Sequence, residues 1–99
     1  MQKLNLIDNN GKESSIDVDG VFIFIGITPN NGCLPLDELQ ADEWGFIPAD
    51  NECRTVIPGV MAAGDIRSKG VRQVINAAGE GAVSVLAAEA FLNNLKQNG

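Results

Sequence analysis

A glycine–aspartate pair, Gly64-Asp65, closes the apolar run Val60-Met61-Ala62-Ala63, and Arg72-Gln73-Val74 follows shortly after it. An ionised carboxylate is an acceptor-only group and suits the hydroxyls of a ligand chain. Glycine beside it lets a backbone approach a bound group closely. Arg72-Gln73-Val74 opens a long, small-residue helix through Asn76-Ala77-Ala78-Gly79-Glu80-Gly81-Ala82. The first N–H groups of such a helix have no intrahelical partner, and its N-terminus carries partial positive charge. Open parallel sheets bind ligands just outside the carboxyl ends of their strands. The order strand, Gly-Asp, helix start therefore suits a hydroxylated, anionic cofactor. The plainer reading makes Asp65 a loop or helix cap and Arg72 with Gln73 a solvated first turn.

The elements that must position these residues are legible in outline. Leu4, Leu6, Ile16 and Val18 alternate with polar residues around Asn9-Asn10-Gly11-Lys12, which predicts a half-exposed hairpin. Val21 to Ile25 is apolar throughout and rich in β-branched and aromatic residues, as in a parallel strand covered on both faces. Pro29 makes Gly26 to Asn30 a turn, because it fixes its own φ and disfavours helix in Thr28. Leu34, Leu36 and Leu39 lie in an acidic, irregular stretch with room for one helical turn. Trp44-Gly45 is expected at the tip of a second hairpin returning through Phe46 and Ile47, with Trp44 packed and Pro48 at the strand's end. Residues 50–54 read as loop, Thr55 to Gly59 as a turn, and Val60 to Ala63 as a second buried strand.

From about Arg72 to Leu95 the pattern is helical, with Val74, Ile75, Ala78, Ala82, Val85, Leu86 and Leu92 toward the covered face. Gly79 and Gly81 each cost this helix about 1 kcal/mol against alanine. Close backbone packing against a strand would account for them; room for a cofactor ring is the other reading.

Composition narrows the function. A chain of 99 residues supports one small domain that buries about two-thirds of its unfolded surface. Net charge −6 and a pI near 4.3 argue against a nucleic-acid footprint. No apolar run is expected to reach the length of a membrane span, and the N-terminus lacks a signal-peptide pattern, so the expected location is the cytoplasm. Cys33 and Cys53 form no Cys-x-x-Cys pair and read as two free thiols packed as small hydrophobes. Arg67 and Lys69 read as surface cations.

Taken together, Asp19-Gly20-Val21-Phe22-Ile23-Phe24-Ile25-Gly26-Ile27-Thr28-Pro29-Asn30, then Gly45-Phe46-Ile47, then Thr55, Pro58-Gly59 and Gly64-Asp65 with Arg72-Gln73-Val74 resemble the small bacterial type of thioredoxin reductase. The resemblance extends over most of the chain. It implies an α/β fold class, a partial FAD/NAD(P)-binding Rossmann-like fold with β-hairpins, two buried parallel-type strands and a long C-terminal helix. Residues 1–26 would be the closing hairpin and last strand of a truncated NADPH-binding domain. Residues 27–99 would be the C-terminal return of an FAD-binding domain. Asp65 would then meet the ribityl hydroxyls, and Gly64 would allow close approach to the phosphate-bearing end. Arg72, Gln73 and Val74 would form the second cofactor-binding element, with Gln73 and the backbone of Val74 against the pyrimidine side of the isoalloxazine, where the helix N-terminus offsets charge on the reduced ring. Pro29 and Asn30 match a family loop near the flavin domain boundary, where shaping the turn is their expected role.

The chain contains no histidine, whereas the larger disulfide reductases add an interface domain with a catalytic one. The small type is expected to end where this chain ends. Complete relatives also carry two Gly-x-Gly-x-x-Gly fingerprints and a Cys-x-x-Cys, and none of the three occurs here. The expected protein moves electrons from NADPH through FAD to thioredoxin. This chain would supply the ribityl and ring half of the FAD site, bind FAD weakly and transfer no hydride alone. Open strand edges predict self-association. A thioredoxin-reductase-like ferredoxin–NADP reductase, a peroxiredoxin-reducing flavoprotein, a non-catalytic flavin-binding or oligomerising module, and a plain α/β domain without ligand are the alternatives. Electron acceptor and nicotinamide preference are not encoded in these residues.

Overall fold

In the computed structural model, which describes residues 3–98, three regular elements appear among the described residues. Strand β1 (Lys3–Ile7) pairs antiparallel with β2 (Glu13–Asp17), and helix α1 spans Val74–Asn98. The register sets Leu4 opposite Ile16 and Asn5 opposite Ser15. Of the two expected domain ranges, Met1, Gln2 and Gly99 lie outside the described residues. The radius of gyration is 20.6 Å, against about 13 Å for a compact domain of this length. Principal extents are 68 × 27 × 21 Å, and β1 and β2 touch each other but not α1.

One turn design recurs three times, at Asp8–Lys12, Asp42–Phe46 and Asp50–Arg54. In each, the Asp Oδ1 accepts the N–H groups two and four residues on, at 2.8–3.0 Å. The Asp N–H donates to the fifth residue's carbonyl, and the fourth residue's N–H donates back to the Asp carbonyl. That fourth residue must take a left-handed conformation: Gly11 at φ 82°, Gly45 at 89° and, without glycine's freedom, Cys53 at 65°. An Asp side chain imitating a backbone acceptor is the physical basis of all three.

Between residues 31 and 70 the chain packs as irregular loops. Leu39, Ile47 and Ala62 form the core, with Leu34, Leu36, Ala41, Ala49, Ile57 and Ile66 against them. The expected helical turn is present, Leu39 N–H donating to the Pro35 carbonyl. Pro58-Gly59 makes a tight reversal in which Val60 N–H donates to the Ile57 carbonyl and Gly59 takes φ 85°, as in a type II turn.

Three expectations are corrected here. Val60 to Ala63 is not a parallel strand: Thr55 N–H reaches the Val60 carbonyl and Ala62 N–H the Cys53 carbonyl, a short antiparallel ribbon across the Pro58-Gly59 turn. Val21 to Ile25 is neither covered nor paired, with Phe24 89% and Ile25 92% exposed. Phe22 and Phe24 stack at 6.1 Å, as same-face neighbours of an extended chain do. No strand forms there, because a parallel strand needs a crossover partner to pair with. Trp44 is 71% exposed at its turn rather than packed.

The helix also turns an unexpected face inward. Its covered stripe is Ala77, Glu80, Gly81, Ser84, Ala87, Ala88 and Phe91, spaced at the helical period. Val74 and Ile75 are 87% and 81% exposed, and Ala78, Ala82, Val85, Leu86 and Leu92 are exposed as well. The loops approach this stripe closely at two glycines of their own: a Cβ on Gly59 would lie 2.9 Å from the Phe91 ring and one on Gly64 3.5 Å from the Ala77 Cβ. By length and composition α1 meets the threshold for a membrane span, contrary to the sequence expectation, although Glu80 and Glu89 lie within it. A Cβ at Gly79 or Gly81 would meet nothing within 4 Å, so close packing accounts for neither glycine.

Candidate functional site

Gly64 is buried with φ 86°, a conformation that strains any residue with a Cβ. Its N–H donates to Glu80 Oε2 at 2.7 Å. Asp65 then emerges, exposed, into a cleft of about 390 Å³ lined by Ile27, Thr28, Pro29, Asn30, Phe46 and Ile66. The sequence-selected Asp65 and Pro29-Asn30 thus share one cavity. Ligand cavities of a few hundred Å³ are of this size.

Arg72 ties the loop to the helix start. Its Nε donates to the Asp65 carbonyl at 3.1 Å and its Nη2 to the Arg67 carbonyl at 2.9 Å. The guanidinium carbon lies 3.8 Å from the Phe46 ring centroid, a favourable cation–π distance. Arg72 is therefore committed to closing the loop. Gln73 and Val74 are exposed at the N-terminus of α1, where the Gln73 carbonyl accepts the Ala77 N–H. No acidic residue sits in the first turn of α1, so its partial positive charge has no partner on the helix itself.

Beneath the loop, Glu80 gathers the cations that the sequence reading placed at the surface. Lys69 Nζ lies 2.8 Å and Arg67 Nη1 3.2 Å from Glu80 Oε1, with all three side chains less than one-fifth exposed. Hydrogen bonding from Lys69, above all, holds the Glu80 carboxyl below its ordinary value, helped by the Gly64 N–H and the charges of Arg67 and Lys69 against the cost of burial. Arg67 also donates to the Ala49 and Asp50 carbonyls, while its Nε is buried without a partner. Cys53 is fully buried, its Sγ 3.5 Å from the Glu80 carbonyl oxygen and 3.8 Å from Arg67 Nη1. Cys33 is exposed and Cys53 buried, and both are free thiols; burial as a small hydrophobe holds for the second alone. Glu80 went unselected from sequence, though a single carboxylate among Asn76 to Ala82 was the available signal.

The donor set fits the flavin expectation in two respects. Asp65 leaves its acceptors in the cleft, making no ion pair among the described residues, and α1 presents an uncompensated N-terminus nearby. A third expected contribution, from the Arg72 side chain, is directed at protein carbonyls instead.

Residues 2–81 match the pyridine nucleotide-disulphide oxidoreductase family. The chain belongs to that family. Within it, the chain is similar to thioredoxin reductases. It is 41% identical over 88 residues to the thioredoxin reductase of Listeria innocua, covering 89% of this chain and 27% of the relative. It is likewise 41% identical over 86 residues to that of Treponema pallidum, covering 87% and 27%. The crystal structure of T. acidophilum thioredoxin reductase superposes with a TM-score of 0.74 at 34% identity, over 95% of this chain and 31% of that one. For Lactococcus lactis thioredoxin reductase the values are 0.72, 32%, 94% and 31%. The chain thus corresponds to somewhat under a third of these relatives' length.

Proposed function

We propose that this chain is the C-terminal part of a thioredoxin reductase-like flavoprotein, located in the cytoplasm, that moves electrons from NADPH through FAD to the disulfide of thioredoxin. Residues 1–26 would close the NADPH-binding domain and residues 27–99 complete the FAD-binding domain. The chain's own share is the ribityl and isoalloxazine half of the FAD site. Asp65 accepts hydrogen bonds from ribityl hydroxyls, and Gly64 leaves room for the phosphate-bearing end. Gln73 and the backbone of Val74 place the α1 N-terminus against the ring edge that becomes negative on reduction. Arg72 contributes by fixing Asp65 relative to that N-terminus. The single observation that supports this reading is the Arg72 bond to the Asp65 carbonyl, which ties the Asp65 loop to the residues just before α1.

Titration of the purified chain with FAD, followed by the visible absorption spectrum, tests it. The expected result is a perturbed flavin spectrum of low affinity. Asp65→Ala should weaken binding about tenfold or more, because a hydrogen bond to a charged group contributes about 1.5–3 kcal/mol. An unperturbed spectrum at excess FAD, or equal affinity of wild type and Asp65→Ala, refutes the assignment. The same chain is proposed to self-associate through residues 21–27, whose apolar side chains are open to solvent and whose backbone pairs with no strand. A constant monomer mass by light scattering across concentration would refute that.

A further inference from the structure

We infer that Glu80 is a positioning residue of the flavin half-site: its carboxylate is the strut that holds Gly64 in its left-handed conformation and so aims Asp65 into the cleft. The inference rests on the assignment of Gly64 and Asp65 to FAD, and it names a residue on a different element from either.

The geometry carries it. Glu80 divides its two oxygens between two tasks. Oε1 is held by Lys69 at 2.8 Å and Arg67 at 3.2 Å, and Oε2 takes the Gly64 N–H at 2.7 Å. Gly64 is buried and needs its N–H satisfied, and no backbone carbonyl takes it. The two cations lie on the same loop as Gly64, downstream of it, so one carboxylate grips that loop at Gly64, Arg67 and Lys69. Arg67 N–H in turn donates to the Gly64 carbonyl at 3.1 Å, which closes the turn carrying Asp65. The ionisable groups facing Glu80 are Lys69 and Arg67 from the loop and Cys53 from the neighbouring Asp50 turn, the last against its main chain.

A carboxamide cannot do the same work. With its oxygen toward the two cations, Glu80→Gln presents an NH2 group to the Gly64 N–H; with its oxygen toward Gly64, it presents NH2 to the cations. Either way one side of the strut is lost, with side-chain size unchanged.

Two measurements on the full chain test this, and only one involves flavin. In proton–nitrogen correlation spectra, the Gly64 amide should move upfield as Glu80 protonates below about pH 4.5. That titration should survive Asp65→Asn and vanish in Glu80→Gln. A Gly64 amide that is insensitive to pH, or that titrates alike in Glu80→Gln, overturns the inference. In FAD titrations, Glu80→Gln should bind about tenfold more weakly than wild type while its helical circular dichroism is retained. Equal FAD affinity of the two overturns the positioning role. If wild type itself leaves FAD unperturbed, the flavin reading fails, and the Gly64 titration alone then decides whether Glu80 is the strut. If Glu80→Gln does not fold, Lys69→Met, which keeps the carboxylate and its bond to Gly64, should retain the Gly64 titration; its loss overturns the inference.

Discussion

Replacing Gly79 and Gly81 by alanine should stabilise α1, and the size of the gain follows from the structure. Both glycines lie inside Val74–Asn98, where glycine is less favourable than alanine by about 0.8–1.0 kcal/mol per residue. The usual offset is steric, and it is absent: a Cβ at either position would meet no atom within 4 Å outside the helix's own nearby backbone. Neither has a left-handed φ, so alanine adopts the native backbone without strain. Residues two apart do not face each other on a helix, so the effects should add to about 2 kcal/mol. Urea unfolding followed by circular dichroism at the helical wavelengths measures this, through the midpoint at constant slope. A double variant that unfolds at equal or lower urea would refute the reasoning, and would mean that an association partner packs against these glycines. The same variants address the cofactor-ring reading. A stabilised helix with normal FAD binding excludes it, whereas a stabilised helix that has lost FAD binding restores it.

Other outcomes follow from the same packing. Gly59→Ala should destabilise by about 1–3 kcal/mol, since it adds left-handed strain and a Cβ 2.9 Å from the Phe91 ring; an unchanged urea midpoint would contradict this. Acid should loosen the loop region. Glu80 is held below its ordinary value by Lys69, Asp42 by the Ser68 hydroxyl and Asp50 by the Arg54 N–H. A depressed folded-state value gives stability that is present above the unfolded value and lost as pH falls through the folded one. The loss should therefore begin as pH drops below about 4.5 for Glu80 and 3.8 for the two aspartates; stability flat down to pH 2 would exclude these contacts. Ile25→Lys should reduce self-association without changing helix content, because Ile25 is 92% exposed; unchanged mass by light scattering would place the association elsewhere.

How much of this was legible depended on whether a residue's partners lie nearby in sequence. The hairpin of β1 and β2 was, because alternation and Asn10-Gly11 specify it locally. The extent of α1 was legible too, within a few residues at each end. Its buried face was not. Bulk pointed to Val85, Leu86 and Leu92, while the loops instead meet the stripe of Ala77, Glu80, Ser84, Ala87 and Phe91. Val21 to Ile25 carries a strand's composition, but pairing is a property of the sheet, and a single segment cannot supply it. The Asp42 and Asp50 turns share one arrangement with Asp8, which Asp42-Glu43-Trp44-Gly45 signals in sequence. Cys53 at the glycine position hides the third. At the site, Asp65 and Pro29-Asn30 line one cleft, a meeting that no local pattern signals across 35 residues. Glu80 was missed because its partners, Gly64, Arg67 and Lys69, lie one loop away rather than one helical turn.

The two faces of α1 carry different demands. A helix that is apolar all round is expected where both sides are covered. Here one side, small and partly polar, is matched to the loops through Gly59, Gly64 and the Glu80 cluster. The other side, with Val74, Ile75, Val85, Leu86 and Leu92, meets no described residue closely enough to be covered. Residues 21–27 are in the same condition, and both surfaces are too apolar to be matched to water. The order within residues 31–91 therefore does not come from a conventional core, which amounts to Leu39, Ile47 and Ala62 with their immediate neighbours. It comes from directional contacts: the Asp42 and Asp50 turns, the Arg72 bridge and the Glu80 strut. Hydrogen bonds of this kind contribute about 1 kcal/mol each in net terms but fix geometry sharply. That division suits a segment whose site loop is shaped locally while its exposed apolar surfaces remain available for the proposed association.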